Sequence, residues 1–196
     1  MPSVDGFDFA AFGPRSRPDM RIVAGLVEQL RARPERLGLE RVALRQPTDT
    51  TFYPQYVGEL EHLFVRAPIY AEVTRVEDRG DLAGALQAGQ LFEVLVDGQW
   101  AGLVATPRKR AYGVRGFWVQ EMLLCGRVRG QGLGPAVQQR LLAELPAHQG
   151  DALFGSIEER NGPSLGSAYA TGRVDVAVHA WLTPKRADTR VCCRGS

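Results

Sequence analysis

The sequence predicts a mixed α/β fold in a chain of 196 residues. Three observations favour this class. Two apolar runs flank the dipeptide Asp97-Gly98, which is typical of a tight hairpin turn. A glycine-rich segment over 126–134 leads into a helix that starts at Pro135, a residue suited to a first helical turn. A strand, a helix of small residues and a last strand then follow over 152–182. Strands and helices that alternate along one chain indicate a sheet covered by helices.

The first third of the chain predicts helices and one short strand. Residues 16–19 resemble a capping box that opens a helix over 16–33. The alternation over 41–46 indicates a short strand, and residues 51–68 carry an amphipathic stripe that ends before Pro68.

The remaining two thirds predict most of the sheet. A second short helix is expected around 81–88. Strands are expected over 91–96, 99–105, 117–125, 152–159 and 174–182, with helices over 135–145 and 161–172. We therefore divide the chain into a helical N-terminal extension (1–38), a main domain (39–185) and a polar tail (186–196).

The charge is nearly balanced, because 24 Lys+Arg face 22 Asp+Glu and leave a net charge of +2. Almost all the basic residues are Arg, since Lys109 and Lys185 are the two lysines. Arg suits phosphate binding, but a genome rich in G and C produces the same bias. With no recognition motif and little net charge, we expect no nucleic-acid partner.

Several other classes are disfavoured. No run of 18 apolar residues indicates a membrane span, and residues 1–17 lack the pattern of a secretory leader, so we expect no membrane association and a cytoplasmic protein. The three Cys, with Cys192 and Cys193 adjacent in the tail, and the three scattered His show no metal-ligand spacing. We therefore expect no metal.

The segment Arg129-Gly130-Gln131-Gly132-Leu133-Gly134 is the main chemical signal. Glycines allow close backbone approach, and the following helix leaves N–H donors free for an anion such as a diphosphate. A plain flexible helix entry is the alternative. The P-loop pattern is absent, and a dinucleotide fingerprint would need glycine where Pro135 stands.

Three motifs in register carry a resemblance to a known family. Arg129, Gly132 and Gly134 match the pattern [Q/R]xxGx[G/A] between a strand and a helix. MLLCGRVRG precedes it, and IEERNGPSLGSAYATGR follows, with Asn161 and Gly172 at matching offsets. Over 90–182, and more loosely over 40–90, the chain resembles the GNAT superfamily of N-acetyltransferases.

The resemblance implies a fold and a cofactor. The fold would be a twisted mixed sheet of about six to seven strands, splayed between the fourth and fifth and flanked by helices. Acetyl-CoA would bind in the opening between those strands. The residues implied to bind it are Met122, Leu123, Leu124, Arg129, Gly130, Gln131, Gly132, Leu133, Gly134, Asn161 and Ser164.

The implied reaction is attack by a primary amine, from a small molecule or a peptide, on the thioester. It needs a base for the amine and benefits from an acid for the thiolate. The resemblance places Gln120 in the active site, where it would position a water, and strand alternation turns Glu121 to the opposite face.

Two further residues complete the predicted catalytic set. We predict Glu158, at the end of the next strand, as the base. Tyr169 is the candidate acid, although it stands one residue after the position where the family usually has tyrosine, which here is Ala168. These departures leave open a non-catalytic acyl-CoA-binding sensor or degenerate family member. A homodimer is also left open.

Overall fold

The computed structural model describes residues 18–34 and 36–180. The strands are β1 (Pro18–Leu26), β2 (Val42–Arg45), β3 (Leu91–Val96), β4 (Gln99–Ala105), β5 (Arg108–Ala111), β6 (Val114–Trp118), β7 (Glu121–Leu124), β8 (Ala152–Glu158) and β9 (Val174–Ala180). The helices are α1 (Val27–Arg31), α2 (Tyr53–Arg66), α3 (Ile69–Val73), α4 (Arg79–Gln87), α5 (Gly134–Glu144) and α6 (Gly162–Thr171), with a 3₁₀ turn over Leu39–Arg41.

The strands form two sheets, which confirms the predicted mixed α/β class. One sheet has the order β2-β3-β4-β7, and the other has the order β5-β6-β8-β1-β9. The chain passes between the sheets four times, from β1 to β2, from β4 to β5, from β6 to β7 and from β7 to β8. The turn between β3 and β4 has positive φ at Asp97 (52°) and Gly98 (76°), as its sequence predicts.

An opening separates β7 from the far end of β8. Residues 116–118 of β6 pair in parallel with 152–154 of β8. After Trp118 the chain turns away, and β7 pairs antiparallel with β4 instead. The strands predicted over 117–125 and 152–159 therefore meet at one end and diverge at the other, as the resemblance implies.

Residues 18–26 are not helical, so the helix predicted over 16–33 is wrong there. They form β1, which lies between β8 and β9 and is antiparallel to both. Val23 packs against α6, while its neighbour Ala24 packs with Phe154 on the other face. A strand buried on both faces is apolar at consecutive positions and imitates helical spacing.

The position of β1 also bears on the predicted N-terminal extension. Since β1 is inside a sheet, the described part of 1–38 contributes to the main fold, and its helix α1 is only five residues long. The predicted tail over 186–196, with Cys192 and Cys193, lies outside the described residues.

The two largest apolar cores lie under α5 and under α2 with α4. The larger lies between α5 and the strands and includes Phe117, Val137 and Leu141. The second lies under α2 and α4 and includes Tyr56 and Leu82. These cores fix α5 and α2 on opposite sides of β7, next to the opening.

Candidate functional site

A cavity of about 610 Å³ occupies the opening beside β7. Its walls come from β7, the loop before α5, the first turns of α6, and α2 with α3. All the predicted cofactor-binding residues except Gln131 line it. They are Met122, Leu123, Leu124, Arg129, Gly130, Gly132, Leu133, Gly134, Asn161 and Ser164.

Gln131 points elsewhere. Its side-chain amide donates a hydrogen bond to the carbonyl oxygen of Arg127 at 2.9 Å, and its Oε1 accepts one from Arg41 at 3.3 Å. The side chain of Gln131 therefore stabilises the loop. Its backbone N–H is the group of this residue that is left available to a ligand.

The loop presents free backbone donors. The N–H groups of residues 130–133 donate to no atom of the described residues, and Leu133 gives α5 no side-chain cap. Gly130 and Gly132 have φ of 76° and 73°, a region that side chains other than glycine rarely adopt. Together with the positive end of the helix dipole, these donors favour an anion.

Arg129 adds a positive charge to the same wall. Its Nη2 is buried and has no hydrogen-bond partner within the described part of the chain. Burial lowers the pKa of Arg129, and the nearby carboxylate of Glu59 opposes that shift. A buried guanidinium nitrogen without a partner is costly, so an anionic ligand would satisfy it.

The rest of the cavity suits an extended amide-containing chain. β7 is the edge strand of its sheet, so one side carries backbone groups that no strand pairs in the described structure. The Asn161 side chain accepts a hydrogen bond from Ser164 N at 3.3 Å, which leaves its NH₂ group available. Leu60 and Leu63 of α2 supply apolar surface opposite.

Glu121 lies in the cavity wall, which strand alternation does not predict. Its carboxylate accepts hydrogen bonds from the Tyr56 hydroxyl (2.6 Å) and from Met122 N (2.7 Å). Burial raises the pKa of Glu121 to about 7, with a smaller contribution from the charge of Glu77. A carboxylate with such a pKa can take a proton at neutral pH.

A β-bulge explains the different orientation. Arg108 pairs with Phe117 and Ala105 pairs with Glu121. Three residues (118–120) therefore lie opposite two (106–107), and one extra residue reverses the alternation. Phe117 belongs to the core under α5, whereas Leu123 belongs to the core under α2. The polar pair Gln120-Glu121 interrupts the apolar run over 117–125, but it does not by itself reveal the extra residue.

The three predicted catalytic residues are not brought together in the cavity. Gln120 donates a hydrogen bond to the Glu77 carboxylate at 2.7 Å, next to Glu121 but outside the cavity lining. Glu158 accepts one from Arg160 at 2.6 Å, and Arg160 also pairs with Glu72 of α3. The ion pair occupies Glu158, which argues against its predicted role as base.

Tyr169 faces away from the cavity. Its hydroxyl donates to Asp175 at 2.8 Å, and 41 % of the residue is exposed. Each helical residue is rotated by about 100° from the one before. The face of α6 toward the cavity instead carries Pro163, Ser164, Gly166 and Ser167. Tyr169 is therefore not placed to act as the acid.

Over 18–34 and 36–180, no group of three or more His, Cys, Asp or Glu is arranged to hold a metal ion. Within those ranges no helix is long and apolar enough to cross a membrane.

Solved structures share this fold. A GCN5-related N-acetyltransferase from Sphaerobacter thermophilus superposes with a TM-score of 0.53 at 15 % identity, over 84 % of this chain and 50 % of that one. A GNAT-family acetyltransferase from Colwellia psychrerythraea superposes with a TM-score of 0.54 at 14 % identity, over 84 % of this chain and 55 % of that one. The chain thus spans about half the length of either protein. No family profile and no curated protein matches the sequence. The comparison establishes the fold as that of GNAT acetyltransferases.

Proposed function

We propose that the protein is an N-acetyltransferase that moves the acetyl group of acetyl-CoA to a primary amine. One observation carries the proposal. A single cavity brings together the free N–H donors of the loop before α5, the unpartnered Nη2 of Arg129 and the carboxylate of Glu121. Anion-binding groups at one end and a group able to take a proton near the other suit transfer from a phosphate-bearing cofactor.

The residues present fit coenzyme A. Backbone donors of Gly130–Gly134 and the guanidinium of Arg129 would hold the diphosphate. The free edge of β7 and the Asn161 NH₂ group would hydrogen-bond the amides of the pantetheine arm, much as a peptide adds to a sheet. When bound, the cofactor supplies an acyl thioester.

Glu121 is proposed as the base. An ammonium must lose a proton before its nitrogen can attack, and a carboxylate with a pKa of about 7 can accept that proton. The hydrogen bonds from Tyr56 and Met122 fix the carboxylate in the wall of the cavity. Tyr56 also accepts a hydrogen bond from Glu77 N at 2.9 Å, so its hydroxyl proton points at Glu121.

The direct test is a thiol-release assay with acetyl-CoA against polyamines, aminoglycosides, amino acids and peptide N-termini. We expect release of free CoA that depends on one class of amine. Gly132→Glu should abolish it, because a side chain is strained at that φ and its carboxylate would repel the diphosphate. Gly84→Glu is the matched control, since Gly84 is exposed on α4 with open space around it.

The same assay separates the alternative function. Saturable binding of acetyl-CoA, with no thiol release from any amine in the panel, would support a non-catalytic acyl-CoA sensor. The ion-paired Glu158 and the outward Tyr169 are the observations in favour of that alternative. Failure of the protein to bind acetyl-CoA would contradict both proposals.

A further inference from the structure

We propose that Ser167 of α6 donates a hydrogen bond to a phosphate oxygen of the bound cofactor, and that Arg173 and Gln138 hold its hydroxyl in this orientation. The inference rests on the proposed function and adds a binding residue that the resemblance does not imply. It is argued from the direction of two hydrogen bonds that link α5, α6 and the residue before β9.

Arg173 fixes the orientation of the Gln138 amide. Arg173 is 3 % exposed, and its guanidinium can only donate. Its Nη2 lies 2.7 Å from Gln138 Oε1, so that atom must be the carbonyl oxygen. Burial lowers the pKa of Arg173 to about 10, which still leaves it charged at neutral pH. Gln138 is fully buried and cannot exchange this contact for water.

The amide in turn fixes the serine. With Oε1 facing Arg173, the NH₂ group of Gln138 faces Ser167 and donates to its Oγ at 2.7 Å. Ser167 Oγ is thus an acceptor in this bond, and its own hydrogen must point elsewhere. No atom of the described residues accepts that hydrogen, and Ser167 lines the cavity. The hydroxyl is therefore available as a donor to a ligand.

The position of Ser167 indicates which part of the ligand it meets. A Cβ built on Gly134, the first residue of α5, would lie 2.5 Å from Ser167 Oγ. The hydroxyl therefore stands beside the N-terminus of α5 and its free N–H groups. A phosphate oxygen held by those groups is the acceptor within reach. The close approach also explains why residue 134 must lack a side chain.

Gln138→Glu tests the orientation without removing Ser167. Both carboxylate oxygens accept, so one would pair with Arg173 and the other would take the hydrogen of Ser167 away from the cavity. The new ion pair with buried Arg173 should preserve the fold. A double-mutant cycle with Ser167→Ala separates this reversal from the added charge, since the charge acts in both backgrounds.

The readout is calorimetric affinity for CoA and for ADP, which carries the diphosphate without the pantetheine arm. Ser167→Ala should weaken both about tenfold, the usual effect of one hydrogen bond to a charged group. Gln138→Glu should lower the affinity for CoA by at least the same factor. The factor by which Gln138→Glu lowers that affinity should be smaller when Ser167→Ala is already present. Thr50→Ala, which removes a hydroxyl bonded to Arg79 outside the cavity, should leave both affinities unchanged.

Wild-type affinity for CoA in folded Ser167→Ala would overturn the inference and leave the proposed function standing. If Ser167→Ala lowers the affinity for CoA but not the affinity for ADP, the assignment of the hydroxyl to a phosphate oxygen is overturned. Equal effects of Gln138→Glu with and without the serine would overturn the orienting role of Gln138. If the wild-type protein binds no CoA, the proposed function itself fails.

Discussion

At the scale of residues, Glu121 decides whether the cavity is a catalytic site or only a binding site. Its carboxylate is held by Tyr56 and Met122, and its pKa of about 7 makes it partly ionised at neutral pH. The predicted base, Glu158, instead neutralises Arg160 at the end of β8. An ion pair thus occupies Glu158, whereas burial raises the pKa of Glu121, which we propose as the base although strand alternation in the sequence favours Glu158.

The pH dependence of catalysis follows from this assignment. The base must be ionised, so kcat/KM should rise with pH and reach half its maximum near pH 7. Glu121→Gln should remove this limb and lower kcat roughly 10²- to 10⁴-fold, the usual contribution of a general base. Steady-state rates of thiol release across pH 5–9 measure both effects. An unchanged profile in Glu121→Gln would exclude this role.

The free energy of unfolding should fall with rising pH over the range in which kcat/KM rises. This gives a second readout on the Glu121→Gln variant. The folded-state pKa of Glu121 lies above the ordinary value of 4.5, so the folded protein favours the protonated carboxyl. Its contribution to stability is present below pH 4.5 and is lost as the pH rises to about 7. Glu121→Gln should therefore unfold at a higher temperature than the wild type at pH 8.

At the scale of elements, sequence patterns predict the parts whose geometry is local. The Asp97-Gly98 turn needs positive φ, and Asn161 caps α6 through a hydrogen bond from Ser164 N. Both features involve only residues that are neighbours in the sequence, so the sequence predicts them. The glycine loop before α5 is predictable for the same reason. The bulge at 118–120 is not, because it depends on the partner strand being one residue shorter between the paired positions.

β1 shows the second limit of sequence analysis. Its apolar residues repeat at a spacing that also fits a helix, and its strand form depends on pairing with β8 and β9, more than 120 residues away. Tertiary contacts therefore override the local pattern.

The central position of β1 predicts a strong effect of substitution there. Val23 is fully buried against Leu165 and Ala168, so Val23→Asp should cost roughly 4 kcal/mol of unfolding free energy or prevent folding. Gln29→Asp introduces the same side chain at an exposed position of helix α1 and should cost less than about 1 kcal/mol. Urea unfolding followed by circular dichroism compares them. Equal stabilities would mean that the segment is a dispensable extension.

At the scale of the whole molecule, most arginines among the described residues have structural partners. Arg41 pairs with Asp97, and Arg108 pairs with buried Asp151. Arg127 donates to the carbonyl oxygens of Gln99 and Trp100 at the start of β4. Arg129 keeps a buried nitrogen free of partners in the described structure, so positive charge is available where the cavity needs it while the net charge stays near zero.

The fold likeness covers about half of each related structure, so binding of the cofactor is the claim on which the whole account depends. Titration of acetyl-CoA into the protein, read as the unfolding temperature, tests it most directly. We predict a saturable rise at sub-millimolar acetyl-CoA, because a ligand of the folded state stabilises it by mass action, and no rise for Gly132→Glu. An unfolding temperature of the wild-type protein that does not move at saturating acetyl-CoA would contradict the account.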